Sequence, residues 1–532
     1  MRYLPFPLLL LVCGLVFFFS RRAERYDLLI RNARIVDGTG TPAVRGSIAV
    51  REGHIVAVGE VSGSAETEID AKGLVAAPGF IDVHTHSENI AQIPEAENFI
   101  RMGVTTIVTG NCGSSSTNVA KFFDDLEAKG CTVNVATLVG HNSIRIKAMH
   151  GIYDRPPSPE EMNEMKTLLD QGMKDGAIGM STGLIYLPGT FTKPEEIIEL
   201  AKVAASYGGI YASHMRAETL KIFDALNELL RIAREAKIRA EVSHLKLSGP
   251  SAWGRANEVL GVLDKARADG LVISQDAYAY TASSTGLSQL IPDKAREGTL
   301  DDFRARLGDP KKKAEIVAGM KEMRERQGRT DYAYAVIARF VPDPSLNGKT
   351  IPQAAKLKRG SDSIEDQIEM ILDIQCQGGG SGVFHGMSET DLQTFLKHPD
   401  TMIASDGGPR SAKRGNDASH PRSYGNNARV LGRYVRELKT LTLEDAVRRM
   451  TFLPARNFRL KDRGTLQPGA CADIVLFDPA KVNDPSTYDD PHHCAEGFTD
   501  VIVNGGIVLR DGKLTGAKTG GPLRAPATPP LP

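Results

Sequence analysis

The sequence predicts an α/β fold: a (β/α)8 TIM-like barrel carrying a small discontinuous β-sandwich domain built from both ends of the chain. Three observations lead there. Short apolar runs alternate with helical periodicity between residues 79 and 459, which implies a parallel sheet with crossover helices. Runs of β type with tight turns and no helices fill 26–78 and recur in 460–516. Candidate metal ligands stand just past several of the apolar runs, where a barrel would gather them on one face. A doubly wound open sheet is the runner-up. No Gly-x-Gly-x-x-Gly follows the first strand, so a dinucleotide site lacks support.

Taken in order, the chain opens with an almost wholly apolar run, residues 4–19, after Arg2 and before Arg21-Arg22. Its length fits either a signal peptide or a short membrane anchor. Ser20 suits the last position before a cleavage, but Phe18 two residues earlier is bulky. The favoured reading is an exported chain that keeps residues 1–25 as a signal or anchor segment, membrane-anchored or secreted. Residues 26–78 alternate β runs (Leu28-Leu29-Ile30, Ser47-Ile48-Ala49-Val50, His54-Ile55-Val56) with turns at Asp37-Gly38 and Glu52-Gly53. Matching runs lie at Asp473-Ile474-Val475-Leu476-Phe477 and Val501-Ile502-Val503. Neither set has strands enough to bury a core alone, so the two ends are expected to meet in one domain.

Within the barrel segment, strands are expected at 78–83, 105–109, 132–136, 177–180, 210–212, 239–242, 271–273, 382–384 and 401–404. Helices are expected at 159–175, 194–207, 219–236 and 256–268. A charged, helix-prone block at 287–330 interrupts the rhythm and reads as an excursion over the barrel mouth. The tail 517–532, rich in Gly, Pro and Thr, is expected to be disordered. With 65 basic and 65 acidic residues, nothing in the charge balance points to nucleic acid as a partner. Six scattered cysteines are too few for a disulfide framework.

The chemistry gathers at strand ends. Pro78-Gly79-Phe80-Ile81-Asp82-Val83-His84-Thr85-His86 closes a buried run with two histidines two residues apart, on one face of a strand. Asn111-Cys112-Gly113, Ser213-His214, Ser243-His244 and Ser405-Asp406-Gly407 each follow an apolar run. Imidazole and thiolate are good zinc ligands, and a catalytic zinc keeps a position open for water. Any one of these residues alone is more often structural than functional. Six together, at the ends of different strands, are much harder to attribute to packing.

These residues carry a resemblance. The His84-Thr85-His86 motif after a short β region resembles the amidohydrolase superfamily. Gly110-Asn111-Cys112-Gly113, Gly179-Met180-Ser181-Thr182-Gly183, His214-Met215-Arg216-Ala217-Glu218, Ser243-His244-Leu245-Lys246, Asp276-Ala277-Tyr278 and Ser405-Asp406-Gly407 narrow it to the N-acyl-D-amino-acid deacylase (D-aminoacylase) family, over about 27–516. The resemblance implies a tightly bound Zn2+ on Cys112, His214 and His244. It implies a second, weaker position at His84 and His86, with Cys112 bridging. Many relatives bridge two metals with a carboxylated lysine from a middle strand; none stands in 177–180, which fits the cysteine variant. Asp406 would act as general base and acid, and Lys246, Tyr278 and Arg422 would hold the carboxylate of a small N-acyl amino acid substrate. The implied reaction is hydrolysis of the linear amide. The alternatives are a cyclic amide hydrolase of the dihydroorotase or hydantoinase type, and a tethered binding protein that has lost catalysis.

Overall fold

The computed structural model describes residues 25–151, 153–411, 415 and 417–525. The leader 1–24 and the last residues, 526–532, lie outside the described residues, and so does the expectation of an N-terminal anchor. Among the described residues, no helix is long and apolar enough to cross a membrane.

Eight parallel strands form the barrel: Phe80–Asp82, Val104–Thr109, Asn134–Thr137 continuing as Val139–Gly140, Gly179–Gly183, Ile210–His214, Arg239–Val242, Ile273–Ala277 and Thr401–Ile403. Neighbours pair in sequence order, for example Phe80 with Val104, Thr109 with Thr137, Gly183 with His214, and Ala277 with Ile403. The ring closes where Thr85 bridges Gly407 and the Asp406 amide donates to the His84 carbonyl at 2.9 Å. The strands are buried on both faces, as a helix-wrapped parallel sheet must be. The helices follow from amphipathic stripes with clear starts. Pro159–Lys174 opens with Ser158 and Glu161 capping each other's amides. Ile222–Ala236 buries Leu226, Leu229, Leu230 and Ala233 along one side.

Strands from both ends of the chain share one nine-stranded sheet. Val75–Pro78 is its junction: it lies parallel to the Arg25–Ile35 strand and antiparallel to Ile474–Phe477, with Ile474 opposite Pro78. Hydrogen bonds run through the whole sheet, from the N-terminal strands to the C-terminal ones. One apolar set, including Leu28, Ile30, Ile48, Val50 and Ile474, forms its own core. Val75, Ala77, Phe477 and Val501 belong instead to the barrel's main cluster. Gly79 then passes the chain into the first barrel strand. A Cβ there would lie 2.1 Å from Thr105 Oγ1, so no larger residue fits the crossing.

Three expectations need correction. The excursion is longer than 287–330: Ser283–Gly286, Ala335–Arg339 and Ser381–Phe384 form a separate antiparallel sheet. With helices such as Pro310–Arg326 and Ile364–Cys376 they enclose their own core around Phe303, Met320, Tyr332, Phe340 and Ile371. Gly382-Val383-Phe384 is therefore the middle of that sheet, not a barrel strand. A short β run reads the same in either setting, and its partner Ser283–Gly286 has no apolar residue to reveal it. The tail is not disordered through 517–525. The Val135 amide donates to Gly521, Leu523 donates to Val135, and Ala525 donates to Gly176, which fastens the segment to the barrel.

Candidate metal centre

The strand ends bring the expected ligands together. Cys112 Sγ lies 3.4 Å from His84 Nε2, 3.5 Å from His214 Nδ1 and 3.6 Å from His244 Nε2. A thiolate and an imidazole held tetrahedrally on one zinc, at about 2.3 and 2.0–2.1 Å, stand about 3.6 Å apart. Within each of the sets Cys112–His214–His244 and His84–His86–Cys112, the donor atoms lie within 4.8 Å of one another.

Each of the three inner histidines has its second nitrogen near a carboxylate. His84 Nδ1 lies 3.4 Å from Asp276 Oδ2, His214 Nε2 lies 3.5 Å from Glu218 Oε1, and His244 Nδ1 lies 3.2 Å from the same oxygen. Outer carboxylates of this kind fix the tautomer and the ring orientation of metal-bound histidines. Burial holds His214 and His244 well below the ordinary imidazole range, so both are neutral, as ligands must be. Burial also pushes the Cys112 thiol well up. A buried thiol of that kind loses its proton readily only to a cation, which inverts the local preference. His84 Nδ1, His214 Nε2 and Asp276 Oδ2 are buried with no hydrogen-bond partner. These unmet atoms lie on the outer side of the rings, facing the carboxylates, while the donor set and its spacing fit a bound metal ion.

Local backbone sets the aim of these side chains. Cys112, His244 and Asp406 have φ of 52°, 38° and 52°, left-handed values that non-glycine residues seldom adopt. Each stands where a barrel strand breaks into its loop. Gly113 follows Cys112 at φ 78°, and a Cβ there would meet Asn142 Oδ1 at 2.5 Å.

Asp406 sits against this cluster, 3.1 Å from His86 Nε2 and 3.7 Å from His84 Nε2. Arg422 grips its other oxygen at 2.7 Å. Burial by itself would raise the Asp406 carboxyl, but Arg422 and His86 hold it well below the usual carboxylate range. Lys246 Nζ lies 2.5 Å from Glu218 and 2.8 Å from His244 Nδ1. Tyr278 lies beneath both cations, its ring centroid 4.9 Å from the Arg422 guanidinium and 5.8 Å from Lys246 Nζ, while its hydroxyl turns to Met387. A cavity of about 290 Å³ opens over His214, His244, Lys246 and Asp406. A larger open groove on the terminal sheet, beside Arg45 and Asp70, holds none of these residues.

The structure thus brings together His84, His86, Cys112, His214, His244 and Asp406, with Lys246, Tyr278 and Arg422 around them. Sequence reasoning assigned no role to Glu218, Asp276, Glu241 or Tyr186, although the first two stand inside the quoted motifs. Spacing was the available signal: Glu218 is four residues after His214. Glu241 is buried beside Asp276 and the two divide the burden. Burial and the neighbouring charge raise Glu241 and keep it neutral, while Asp276 stays ionised next to His84. Tyr186 packs edge-on to His214, ring centroids 4.9 Å apart, and accepts a hydrogen bond from Thr285. Burial pushes its phenol well up, so it stays a neutral donor.

Residues 67–509 match the model of the Amidohydrolase family. The chain belongs to that family. It is 36% identical over 523 residues to the D-aminoacylase of Alcaligenes xylosoxydans xylosoxydans, covering 94% of this chain and 97% of that one. The crystal structure of an N-acyl-D-glutamate deacylase from Bordetella bronchiseptica, complexed with zinc and a phosphonate mimic of the tetrahedral intermediate, superposes with a TM-score of 0.79. The two chains are 34% identical, over 94% of this chain and all (100%) of that one. A D-aminoacylase structure described by one-metal activation and second-metal attenuation of its binuclear centre gives 0.79 at 32% identity, again over 94% and 100% of the two chains.

Proposed function

We propose that this protein is a zinc-dependent hydrolase that cleaves the amide bond of N-acyl-D-amino acids to a carboxylate and a free D-amino acid. The observation that carries the reading is the convergence of His84, His214 and His244 on Cys112 Sγ at 3.4–3.6 Å, with an ionised Asp406 beside them. In this reading Cys112, His214 and His244 hold the tighter cation, and His84 and His86 form the weaker position with Cys112. A zinc ion there supplies Lewis-acid polarisation of the scissile carbonyl and lowers the pKa of a water towards neutrality. Asp406 takes a proton from the attacking water and passes it to the leaving nitrogen. Lys246 and Arg422 receive the substrate carboxylate, the guanidinium bidentately, with Tyr278 supporting both cations from below. Glu218 and Asp276 keep the histidines turned to the metal.

The support for D-amino acids is likeness to the relatives named above. The apolar run at 4–19 supports an exported protein, tethered or released. The reading is tested with zinc-loaded protein on paired N-acetyl-D- and N-acetyl-L-amino acids. Turnover of the D series is expected to exceed the L series by about 100-fold or more, a difference of roughly 2.7 kcal/mol in transition-state binding. Chelation should abolish it and zinc should restore it. No turnover of any D substrate by the zinc-loaded protein would remove the reading.

A further inference from the structure

Two cavities, not one, meet at the metal centre. The first, about 290 Å³, contains Lys246 and Glu218. The second, about 360 Å³, has His86 and Cys112 on its inner wall and runs outward past Ser114, Asn142, Ser143, Ile146 and Leu187. Tyr186, Ser284 and Thr285 line both and form the partition. No lysine, arginine, aspartate or glutamate lines the second cavity.

A linear amide also has two ends, which diverge from the scissile carbon. One is the amino-acid half, which carries a carboxylate. The other is the acyl half, which carries none. Of these two cavities Lys246 lines the first and not the second, and Arg422 is tied to Asp406, which lines that same first cavity. The charged half of the substrate therefore belongs there, and the acyl half is left facing the uncharged cavity.

We propose that the cavity beside Ile146 is an acyl-chain subsite that takes unbranched, neutral acyl groups of about four to eight carbons. The proposal rests on the amide-hydrolase reading above and adds the acyl class to it. Ile146 lies on the helix His141–Met149, whose Ile144, Ala148 and Met149 are buried, yet Ile146 itself remains 48% exposed at the cavity wall. Its neighbour Arg145 and His141 are fixed to the buried Glu196, so this wall is rigidly placed. At roughly 30 Å³ per small group, the methyl of an acetyl group would fill only a small part of such a space. A longer chain would cover Ile146 and Leu187 and displace water from them.

The test is kcat/KM of the zinc-loaded enzyme on N-acetyl-, N-butanoyl-, N-hexanoyl- and N-octanoyl-D-methionine, for wild type, Ile146→Asp and Ile146→Trp. Wild type is expected to gain about two- to fourfold per added methylene up to hexanoyl, the gain a buried CH2 provides. Ile146→Asp should bring the hexanoyl-to-acetyl ratio close to one, and Ile146→Trp, by filling the cavity, should do the same to the octanoyl-to-acetyl ratio. Acetyl cleaved as well as hexanoyl by wild type would overturn the subsite while leaving the amide-hydrolase reading intact. A hexanoyl preference unchanged in both variants would overturn it as well. Failure to cleave any acyl length would remove both readings together.

Discussion

Two buried polar clusters near the C-terminal ends of the barrel strands differ in what their side chains face. In one, His141, Arg145 and Glu196 bond to one another. Glu196 accepts from His141 at 2.9 Å and from Arg145 Nη1, and Arg145 Nη2 donates to the carbonyls of Tyr153 and Arg155. The charges cancel inside the cluster, and both nitrogens of His141 have partners. In the other, three histidines turn to one sulfur. Burying a histidine beside a carboxylate thus does not identify a site. What separates the brace from the metal centre is the convergence of three imidazole nitrogens on one sulfur, at the spacing of ligands around a shared ion.

Substitutions in the two clusters should therefore separate cleanly. The largest effect on turnover is expected from Asp406→Asn, which removes the proton acceptor but no ligand of the tight position. Measured on zinc-loaded protein, kcat should fall by about 10²–10⁴ with zinc content retained, and undiminished kcat would remove Asp406 from the mechanism. Glu218→Gln should act less severely and through the metal. Zinc affinity, read by competition with a chelator, is expected to drop about 10- to 100-fold, with activity recovering at high zinc. Unchanged affinity would mean that Glu218 does not orient the histidines.

Glu196→Gln should affect turnover least and stability most. Breaking a buried ion pair costs roughly 3–5 kcal/mol, read as a lower denaturation midpoint with zinc content unchanged. Burial would raise the Glu196 carboxyl, but His141 and Arg145 hold it below its ordinary 4.5. Its contribution is therefore complete above pH 4.5 and lost as pH falls through the lower folded value. Wild type should lose stability in that acid window, and the variant should lose less. Equal pH profiles would show that the brace is not ionised as described.

Much of the barrel and the convergence of the candidate ligands was legible because both write regular signals into the chain. Apolar runs of strand length end in His84, Cys112, His214, His244 and Asp406, and a parallel barrel has to bring such ends to one rim. The outer carboxylates were not legible. Glu218 and Asp276 face the outer side of a histidine, and the only trace in the sequence was the four-residue step from His214 to Glu218. The inserted sheet was missed for a different reason. Ser283–Gly286 is half-buried with no apolar residue, and its strand character comes from pairing with Ser381–Phe384. The tail was misjudged because composition describes what a segment lacks. The hydrogen bonds that fasten 517–525 use backbone atoms, which every residue carries.

The pairing of Ile474 with Pro78 has a consequence for biosynthesis. During translation, the strand at Val75–Pro78 emerges with one edge open and keeps it open until the far end of the polypeptide leaves the ribosome. The whole catalytic barrel has to be made in the interval. Such a nascent chain presents an unpaired, apolar ribbon for most of its synthesis, the kind of edge that invites wrong partners. Productive assembly then depends on whichever is faster, completion of the chain or capture of that ribbon by a neighbour.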